Sequence, residues 1–308
     1  MTKSLLPSKE TTHKRLVYIR NNWQLYAFFL LPAVALVLVF KYLPMGGLLI
    51  AFEDYKNRLG IFGSDFIGFE NFTRFLSSPE FPRLMSNTLK LSVYGLLWGF
   101  FPPIILALLL SRVRHVGLRK NIQLLVYAPN FISVIVMAGM IIAFLSPVGP
   151  INAALGTSSN LMTDPAAFRP IYIVSGIWQG AGWASIIYTA ALSGVSGDLV
   201  DACNIDGASL LQQIWYVDIP TIKPIMVIQF ILSAGQIMNI GFEKALALQT
   251  DLNRTASEII PTYVYRLGLQ IGDYGYSTAV GLFNSVINVV LLLSVNWIVS
   301  KLNEGEGL

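Results

Sequence analysis

Six apolar runs, each long enough to cross a lipid bilayer as a helix, divide this chain of 308 residues. A helix rises ~1.5 Å per residue, so ~20 residues span the ~30 Å hydrocarbon core of a bilayer. Inside lipid every backbone amide needs an internal partner, which favours helices over irregular chain. The predicted spans are residues 24–46, 88–111, 121–145, 170–193, 222–242 and 277–300.

The composition agrees with a membrane protein. Charged residues make up 12% of the chain, and the mean hydropathy is +0.61. A soluble domain usually carries ~25% charged residues. The sequence therefore predicts an all-α membrane protein with an N-terminal segment (1–23), a six-span domain (24–300) and a short tail (301–308). The first run lacks an A-x-A-like cleavage site, so an uncleaved helix is favoured over a signal peptide.

Lysine and arginine predict the orientation of the spans. Segment 1–23 carries five basic residues against one acid, and loop 112–120 carries four basic residues and no acid. By the positive-inside rule both segments are cytoplasmic, and with six spans both termini are too. The mixed-charge 47–87 loop then lies outside, and segment 194–221 lies inside although it is acidic. Acids count little in this rule, but acids kept there predict a basic partner.

The residue inventory argues against several functions. The single cysteine, Cys203, excludes an intrachain disulfide, and the two histidines, His13 and His115, do not support a metal cluster or a catalytic triad. No GxxxxGK[ST] loop is present, so this chain is not expected to hydrolyse ATP. The net charge of +4 is modest and uneven, which points to membrane orientation rather than nucleic-acid binding. We therefore expect no catalytic residue, no metal and no cofactor.

Local signals predict two irregular segments. Pro102 and Pro103 remove two backbone donors and are expected to kink or break the second span. In the outer loop 246–276, Thr255 and Glu258 have capping-box spacing, which predicts a short helix over residues 256–268.

The most informative stretch lies between the fourth and fifth spans, at residues 198–224: DLVDACNIDGASLLQQIWYVDIPTIKP. Its pattern predicts a short helix over 198–206, a hinge at Gly207 where a left-handed backbone is easiest, and a second helix from Ser209. Pro220 is expected to end that second helix. A simple connector needs only ~2–8 residues, so the stretch is interpreted as a protruding docking site for another protein.

This stretch resembles the cytoplasmic signature loop of binding-protein-dependent ABC importer permeases. The family pattern is E-A-A, two residues, D-G-A, three residues, Q, and an apolar run ending in L-P. Asp201 stands where the family has Glu, and Cys203 replaces the second Ala. The matching positions are Ala202, Asp206, Gly207, Ala208, Gln212 and Pro220.

Further stretches resemble the carbohydrate branch of this family, within it the permeases for oligosaccharides derived from polysaccharides. They are FKYLPMGGLLIAFEDY, FIGFENF, GFEKALALQT and STAVGLFNSVINVVLLL. The resemblance implies a type I ABC importer permease bundle in the bacterial cytoplasmic membrane, in contact with lipid. It also implies four kinds of partner: a second homologous permease, two copies of a cytoplasmic ATPase subunit, an extracellular solute-binding lipoprotein and the oligosaccharide.

The resemblance also implies how the loop works. The loop over 198–220 would couple the permease to the ATPase, with residues 198–208 as the coupling helix and Asp201 as its charged contact. Asp206 is interpreted as the cap of the hinge rather than as a contact. The coupling set comprises Asp201, Ala202, Cys203, Ile205, Asp206, Gly207 and Ala208.

A sugar path needs aromatic rings that stack on C–H faces and amides that bind hydroxyls. Aligned with the related maltose permease, Gly180 and Trp183 fall where that protein lines its sugar site. The other path candidates are Gln179, Gln236, Asn239 and Asn130. Bundle packing and interhelical hydrogen bonds are the competing explanation for all of them, and the partner permease can carry the site alone.

Three alternatives stay open beside an oligosaccharide permease. A permease of the same superfamily for an amino acid, phosphate or metal would share the signature loop. An ion-driven secondary transporter would need acids at membrane depth or paired inverted repeats, which the spans do not offer. A membrane-embedded enzyme would need clustered His, Cys or acidic residues there.

Overall fold

The computed structural model describes residues 21–235 and 241–302, and these residues are mostly helical. One short antiparallel hairpin pairs β1 (Glu53–Asp54) with β2 (Asp65–Phe66). The helices are α1 (Trp23–Phe52), α2 (Glu70–Leu76), α3 (Glu80–Ser111), α4 (Val116–Tyr127), α5 (Val134–Leu145), α6 (Pro150–Leu155), α7 (Pro165–Leu192), α8 (Gly197–Ile205), α9 (Leu210–Gly235), α10 (Phe242–Leu248), α11 (Arg254–Ser257), α12 (Ile260–Tyr265, continued by a wider turn over Arg266–Ile271) and α13 (Tyr274–Leu302).

Five helical stretches of the described chain have the length and hydropathy to cross a membrane. They are Trp23–Phe52, Glu80–Ser111, Val134–Leu155, Leu210–Gly235 and Tyr274–Ile298. The predicted fourth span, 170–193, lies almost wholly in α7, which has 28 residues and is about 42 Å long at ~1.5 Å per residue. Its glycines, serines, tryptophans and glutamine make it less apolar than the other five.

The expected continuous third span over 121–145 is wrong. α4 ends at Tyr127, a tight turn covers Ala128–Phe131, and α5 begins at Val134. Pro129 in this turn has no amide to donate, and Ser133 Oγ accepts a hydrogen bond from the amide of Val136 at 3.3 Å. The proline and the new N-terminal cap together stop one helix and start the next.

The predicted helix end at Pro220 is wrong, and so is a break of α3 at Pro102 and Pro103, while a kink there stays a prediction. α3 runs unbroken through Pro102 and Pro103, and α9 runs unbroken through Pro220 and Pro224. A wider turn over Ile214–Asp218 directly precedes Pro220. Such turns, together with neighbouring helices, accommodate the carbonyls that a proline leaves without a donor.

α3 and α7 form the frame of the molecule and run side by side in the same direction. At one end Arg169 Nη2 donates to Asn87 Oδ1 at 2.9 Å. At the other end a buried cluster combines residues of α3, α7 and α9, namely Ile104, Ala107, Leu108, Tyr188, Leu192 and Ile222. α9 therefore completes a three-helix frame at the end that leads into α8.

Glu258 does not cap a helix as the sequence predicted. Its side chain is fully buried, and its carboxylate accepts hydrogen bonds from Arg83 Nη2 at 2.7 Å and from Arg266 Nε at 2.8 Å. Instead of one helix over 256–268, α11 ends at Ser257 and α12 begins at Ile260. A tertiary ion pair thus outweighs the local capping signal.

Candidate functional site

α8 has the form that the sequence predicted. Ser196 Oγ accepts from the amide of Asp198 at 3.2 Å and caps the N-terminus. At the other end the amide of Gly207 donates to the carbonyl of Asn204 at 3.2 Å, and Gly207 has φ +70°. That left-handed backbone is costly for any residue with a Cβ, so glycine allows the chain to turn sharply between α8 and α9.

Most of the coupling residues predicted at α8 are exposed to solvent. Asp201, Ala202 and Asp206 are exposed, and Ile205 is 86% exposed. Cys203 and Ala208 are half-buried and face the turn. An exposed apolar side chain beside an exposed carboxylate is a surface suited to docking a partner with a basic, apolar groove.

α9 begins with a capping box. Ser209 Oγ accepts from the amide of Gln212 at 3.4 Å, and the Gln212 side chain accepts from the amide of Ser209 at 2.7 Å. Because α9 is continuous, α8 is joined by one short turn to a helix that reaches Gly235. A displacement of α8 is therefore passed directly into a membrane-length helix.

A chain of polar side chains, of which Gln213 and Asp218 are buried, also fastens this turn to the end of α3. Gln213 Nε2 donates to Asn204 Oδ1 of α8 at 2.9 Å, and Gln213 Oε1 accepts from Arg112 Nη1 at 3.3 Å. Arg112 in turn forms an ion pair with Asp218, whose side chain is 6% exposed. The basic partner that the acidic segment predicted is thus found, for Asp218, within the same chain.

Adjoining cavities lie along helices α3, α7 and α9 of the frame. One has a volume of about 570 Å³ and a second about 550 Å³, and both touch Gly99, Phe100 and Ser233. A smaller one of about 270 Å³ lies along α3 and the Tyr172, Gly176 and Gly180 face of α7. Together they form a discontinuous path along the frame, large enough to enclose sugar rings.

The structure brings two of the predicted path residues to these cavities. Trp183 lines the 570 Å³ cavity and is 49% exposed, with its ring edge-on to Phe131 at 5.6 Å between centroids. Gly180 lines the smallest cavity. Asn130 lies half-buried in the turn between α4 and α5. Gln236 and Asn239 fall outside the described residues.

Gln179 has a structural contact that the sequence did not reveal. Its Nε2 donates to the carbonyl of Ile132 at 2.9 Å. Ile132 lies in the break between α4 and α5, where its carbonyl has no helical donor, so the amide compensates for the interrupted helix. Its assignment to the sugar path stays a prediction.

Three residues with polar side chain groups that line the 570 Å³ cavity were not among the predicted site residues: Tyr188, Gln229 and Ser233. Gln229 and Ser233 are four residues apart on α9, a spacing that places both side chains on one face. This spacing of two polar residues in an apolar span was the sequence signal that could have identified them. In the structure they line the same cavity as the aromatic residue Trp183. Tyr188 is 3% exposed and gives no such signal, because a buried tyrosine in a span is usually packing.

Two proteins of Bacillus subtilis are similar to this chain over nearly its whole length. Protein LplB of Bacillus subtilis is 39% identical over 294 residues, which covers 94% of this chain and 92% of that one. The polygalacturonan/rhamnogalacturonan transport system permease protein YteP of the same organism is 38% identical over 305 residues, covering 97% and 94%.

Two solved structures are also similar to this chain. The crystal structure of a bacterial ABC transporter involved in the import of the acidic polysaccharide alginate contains a chain that superposes with a TM-score of 0.86 at 37% identity, over 94% of this chain and 99% of that one. A second structure, with an alginate pentasaccharide-bound periplasmic protein, gives a TM-score of 0.85 at 38% identity, over 94% and 98%. The similarity therefore extends over the whole fold.

The family model for the binding-protein-dependent transport system inner membrane component matches residues 89–304, which include α8, α9 and the cavities. The resemblance inferred from the signature loop is confirmed, and this chain belongs to that family of ABC transporter permeases.

Proposed function

We propose that the chain is the permease subunit of an ATP-driven importer that moves an oligosaccharide across the membrane by alternating access. The observation that carries the proposal is α8. It presents Asp201 and Ile205 to solvent at a fixed position, and it is joined through Gly207 and Gln213 to α9 and α3. A partner that grips α8 can therefore move the frame around the cavities.

The oligosaccharide is proposed from the cavities and from the relatives. Trp183 offers an aromatic face, and Gln229 and Ser233 offer hydrogen-bonding groups in the same cavity. Relatives at 37% to 39% identity include proteins named for polysaccharide transport and import. Gly180 and Gln179 extend the proposed path along α7, while Asn130, Gln236 and Asn239 are proposed as its amide groups.

The proposed assembly contains a second homologous permease, two ATPase subunits that receive the 198–220 loop, and an extracellular solute-binding protein. In that assembly Asp201 contacts a basic group of the ATPase, while Ala202, Cys203 and Ile205 fill its groove. Asp206, Gly207 and Ala208 shape the hinge. ATP hydrolysis takes place in the ATPase subunit.

The proposed topology has six spans in the bacterial cytoplasmic membrane, with α7 as the span of lowest hydropathy and both termini in the cytoplasm. The basic segments 1–23 and 112–120 support this orientation. It places α8 on the cytoplasmic side and the hairpin, α10, α11 and α12 on the outer side. Residues 24–300 then form one transmembrane domain, with 301–308 as a cytoplasmic tail.

Reconstitution tests the proposal. The chain, its partner permease, the ATPase and the binding protein are placed in liposomes and offered labelled oligosaccharides, amino acids and phosphate. We expect uptake of an oligosaccharide that requires ATP and binding protein. Uptake driven by a proton or sodium gradient without ATP would contradict the proposal, and ATP-dependent uptake of amino acid or phosphate alone would assign a non-sugar solute.

A further inference from the structure

Lys244, at the outer end of the cavities, is a buried cation that has no acidic partner within residues 21–235 and 241–302. Its side chain lies on α10 and the residue is 7% exposed. Nζ donates to the carbonyl of Tyr172 at 2.6 Å and lies 4.5 Å from the centre of the Tyr172 ring. A Cβ on Gly176 would be 3.1 Å from Nζ. The ammonium group therefore lies against the cavity-lining face of α7.

Arg169 is a second cation at this end, one helical turn before Tyr172. Nη2 donates to Asn87 Oδ1 at 2.9 Å, and Nε is buried without a hydrogen-bond partner. Asn87 lies one turn before Leu91, which lines the same cavity as Tyr172. Arg169 and Lys244 thus both lie at the first half of α7, with Arg169 one turn before Tyr172 and Lys244 Nζ beside Tyr172 and Gly176.

Four arginines on this side have carboxylate partners. Glu258 pairs with Arg83 at 2.7 Å and with Arg266 at 2.8 Å, Asp273 pairs with Arg74 at 3.0 Å, and Asp251 pairs with Arg254. Among the described residues, neither Lys244 nor Arg169 has a carboxylate oxygen within the 4.0 Å of an ion pair. In the sequence, residues 236–240, which lie outside the described residues, contain no Asp or Glu.

A buried charge without a counter-charge is unfavourable, because the lost hydration is not replaced. Consistent with this, burial lowers the pKa of Lys244 to about 8. An anion beside the ammonium would offset the lost hydration. A charge-assisted hydrogen bond in a water-poor site is among the stronger polar contacts. The surroundings of the Lys244 ammonium therefore favour the binding of an anionic group.

We propose that Lys244 and Arg169 bind the carboxylate groups of an acidic, uronate-containing oligosaccharide as it enters the cavities. This inference rests on the proposed function and adds the substrate class and its recognition site. Two cations at the first half of α7 suit a chain in which each sugar carries one carboxylate.

The competing explanation is that Lys244 merely ties α10 to α7 through the Tyr172 carbonyl. Both explanations predict some loss when the lysine is changed, so the test must separate charge recognition from packing. Lys244→Met keeps the length and apolar stem of the side chain and removes the charge. Arg169→Gln removes the charge at the second position, and Arg169→Lys keeps it. Arg254→Gln is the matched control, since Arg254 lies on the same side and has its own partner, Asp251.

The experiment measures uptake by the complete complex in liposomes for two probe pairs. These are a galacturonate oligosaccharide and an alginate oligosaccharide, each with its carboxyl-reduced counterpart. We expect Lys244→Met and Arg169→Gln to raise KM for the acidic probes about tenfold or more. For Arg169→Lys and Arg254→Gln, KM for the acidic probes should stay near the wild-type value. In all variants, uptake of every carboxyl-reduced probe that the wild type transports should also stay near the wild-type level.

Three results would overturn the inference: equal losses for acidic and carboxyl-reduced probes, no loss for the acidic probes, or wild-type uptake restricted to the carboxyl-reduced probes. In each case ATP-dependent oligosaccharide uptake still supports the proposed function. If the wild type transports only acidic probes, loss in Arg169→Gln with retention in Arg169→Lys supports the site, and equal loss in both overturns it. Absence of ATP-dependent uptake of any oligosaccharide by the wild type overturns the proposed function as well.

Discussion

The guanidinium of Arg112 is ion-paired with the carboxylate of Asp218, although 106 residues separate them in the chain. The side chains are 21% and 6% exposed. The pair joins the end of α3 to the first turns of α9, and Gln213 extends it to Asn204 on α8. The loop proposed to contact the ATPase is therefore held against two helices of the frame at once.

Asp218→Asn removes the charge and leaves Arg112 without its partner in a largely buried position. Breaking a buried pair in this way costs about 3 kcal/mol. We expect a lower Tm for the purified complex and less transport per ATP hydrolysed. Asp251→Asn is the matched control, because Asp251 pairs with Arg254 at the surface, where a pair contributes only ~0–1 kcal/mol. A Tm for Asp218→Asn as high as that of the control would show that the pair does not brace the loop.

Gly207→Val tests the hinge. Gly207 has φ +70°, a conformation that costs a residue with a side chain about 1–2 kcal/mol. The substitution should tilt α8 and reduce the stimulation of ATPase activity by loaded binding protein. Gly197→Ala provides the comparison, since Gly197 is helical and open space surrounds its Cα. Similar stimulation in the two variants would argue that the left-handed turn does not orient α8.

Trp183→Ala tests the sugar path. Removing the ring from the 570 Å³ cavity should reduce oligosaccharide uptake about tenfold or more, while the four-subunit complex still assembles. Trp178→Ala is the control, because Trp178 is 50% exposed on the same helix and does not line the cavities described above. Uptake and assembly are measured on the same preparation. Unchanged uptake of every transported oligosaccharide would place Trp183 among the packing residues.

Features that depend on local sequence were predicted well. Ser196, Gly207 and Ser209 fix the ends of α8 and the start of α9 through bonds that span only a few residues. The chemistry of a cap or a left-handed glycine is the same in any fold, so the signal is readable from the sequence.

Features that depend on tertiary contacts or on unusual local geometry were not predicted. Pro220 reads as a helix end, but the wider turn directly before it keeps α9 continuous. Glu258 reads as a cap, but its carboxylate is bound by Arg83 of α3 and by Arg266, eight residues further along the chain. Asp218 reads as an unassigned acid until Arg112 is brought beside it. For Glu258 and Asp218 an arginine that is remote in sequence takes part, so no local pattern could reveal the contact.

The central claim is that α8 transmits the ATPase cycle to the frame through Asp201, which is exposed to solvent. The direct measurement is the ATPase activity of the reconstituted Asp201→Lys complex with and without loaded binding protein. Reversing the charge should abolish the stimulation by loaded binding protein, while the isolated ATPase subunit keeps its basal activity. Stimulation equal to that of the wild type would contradict the claim.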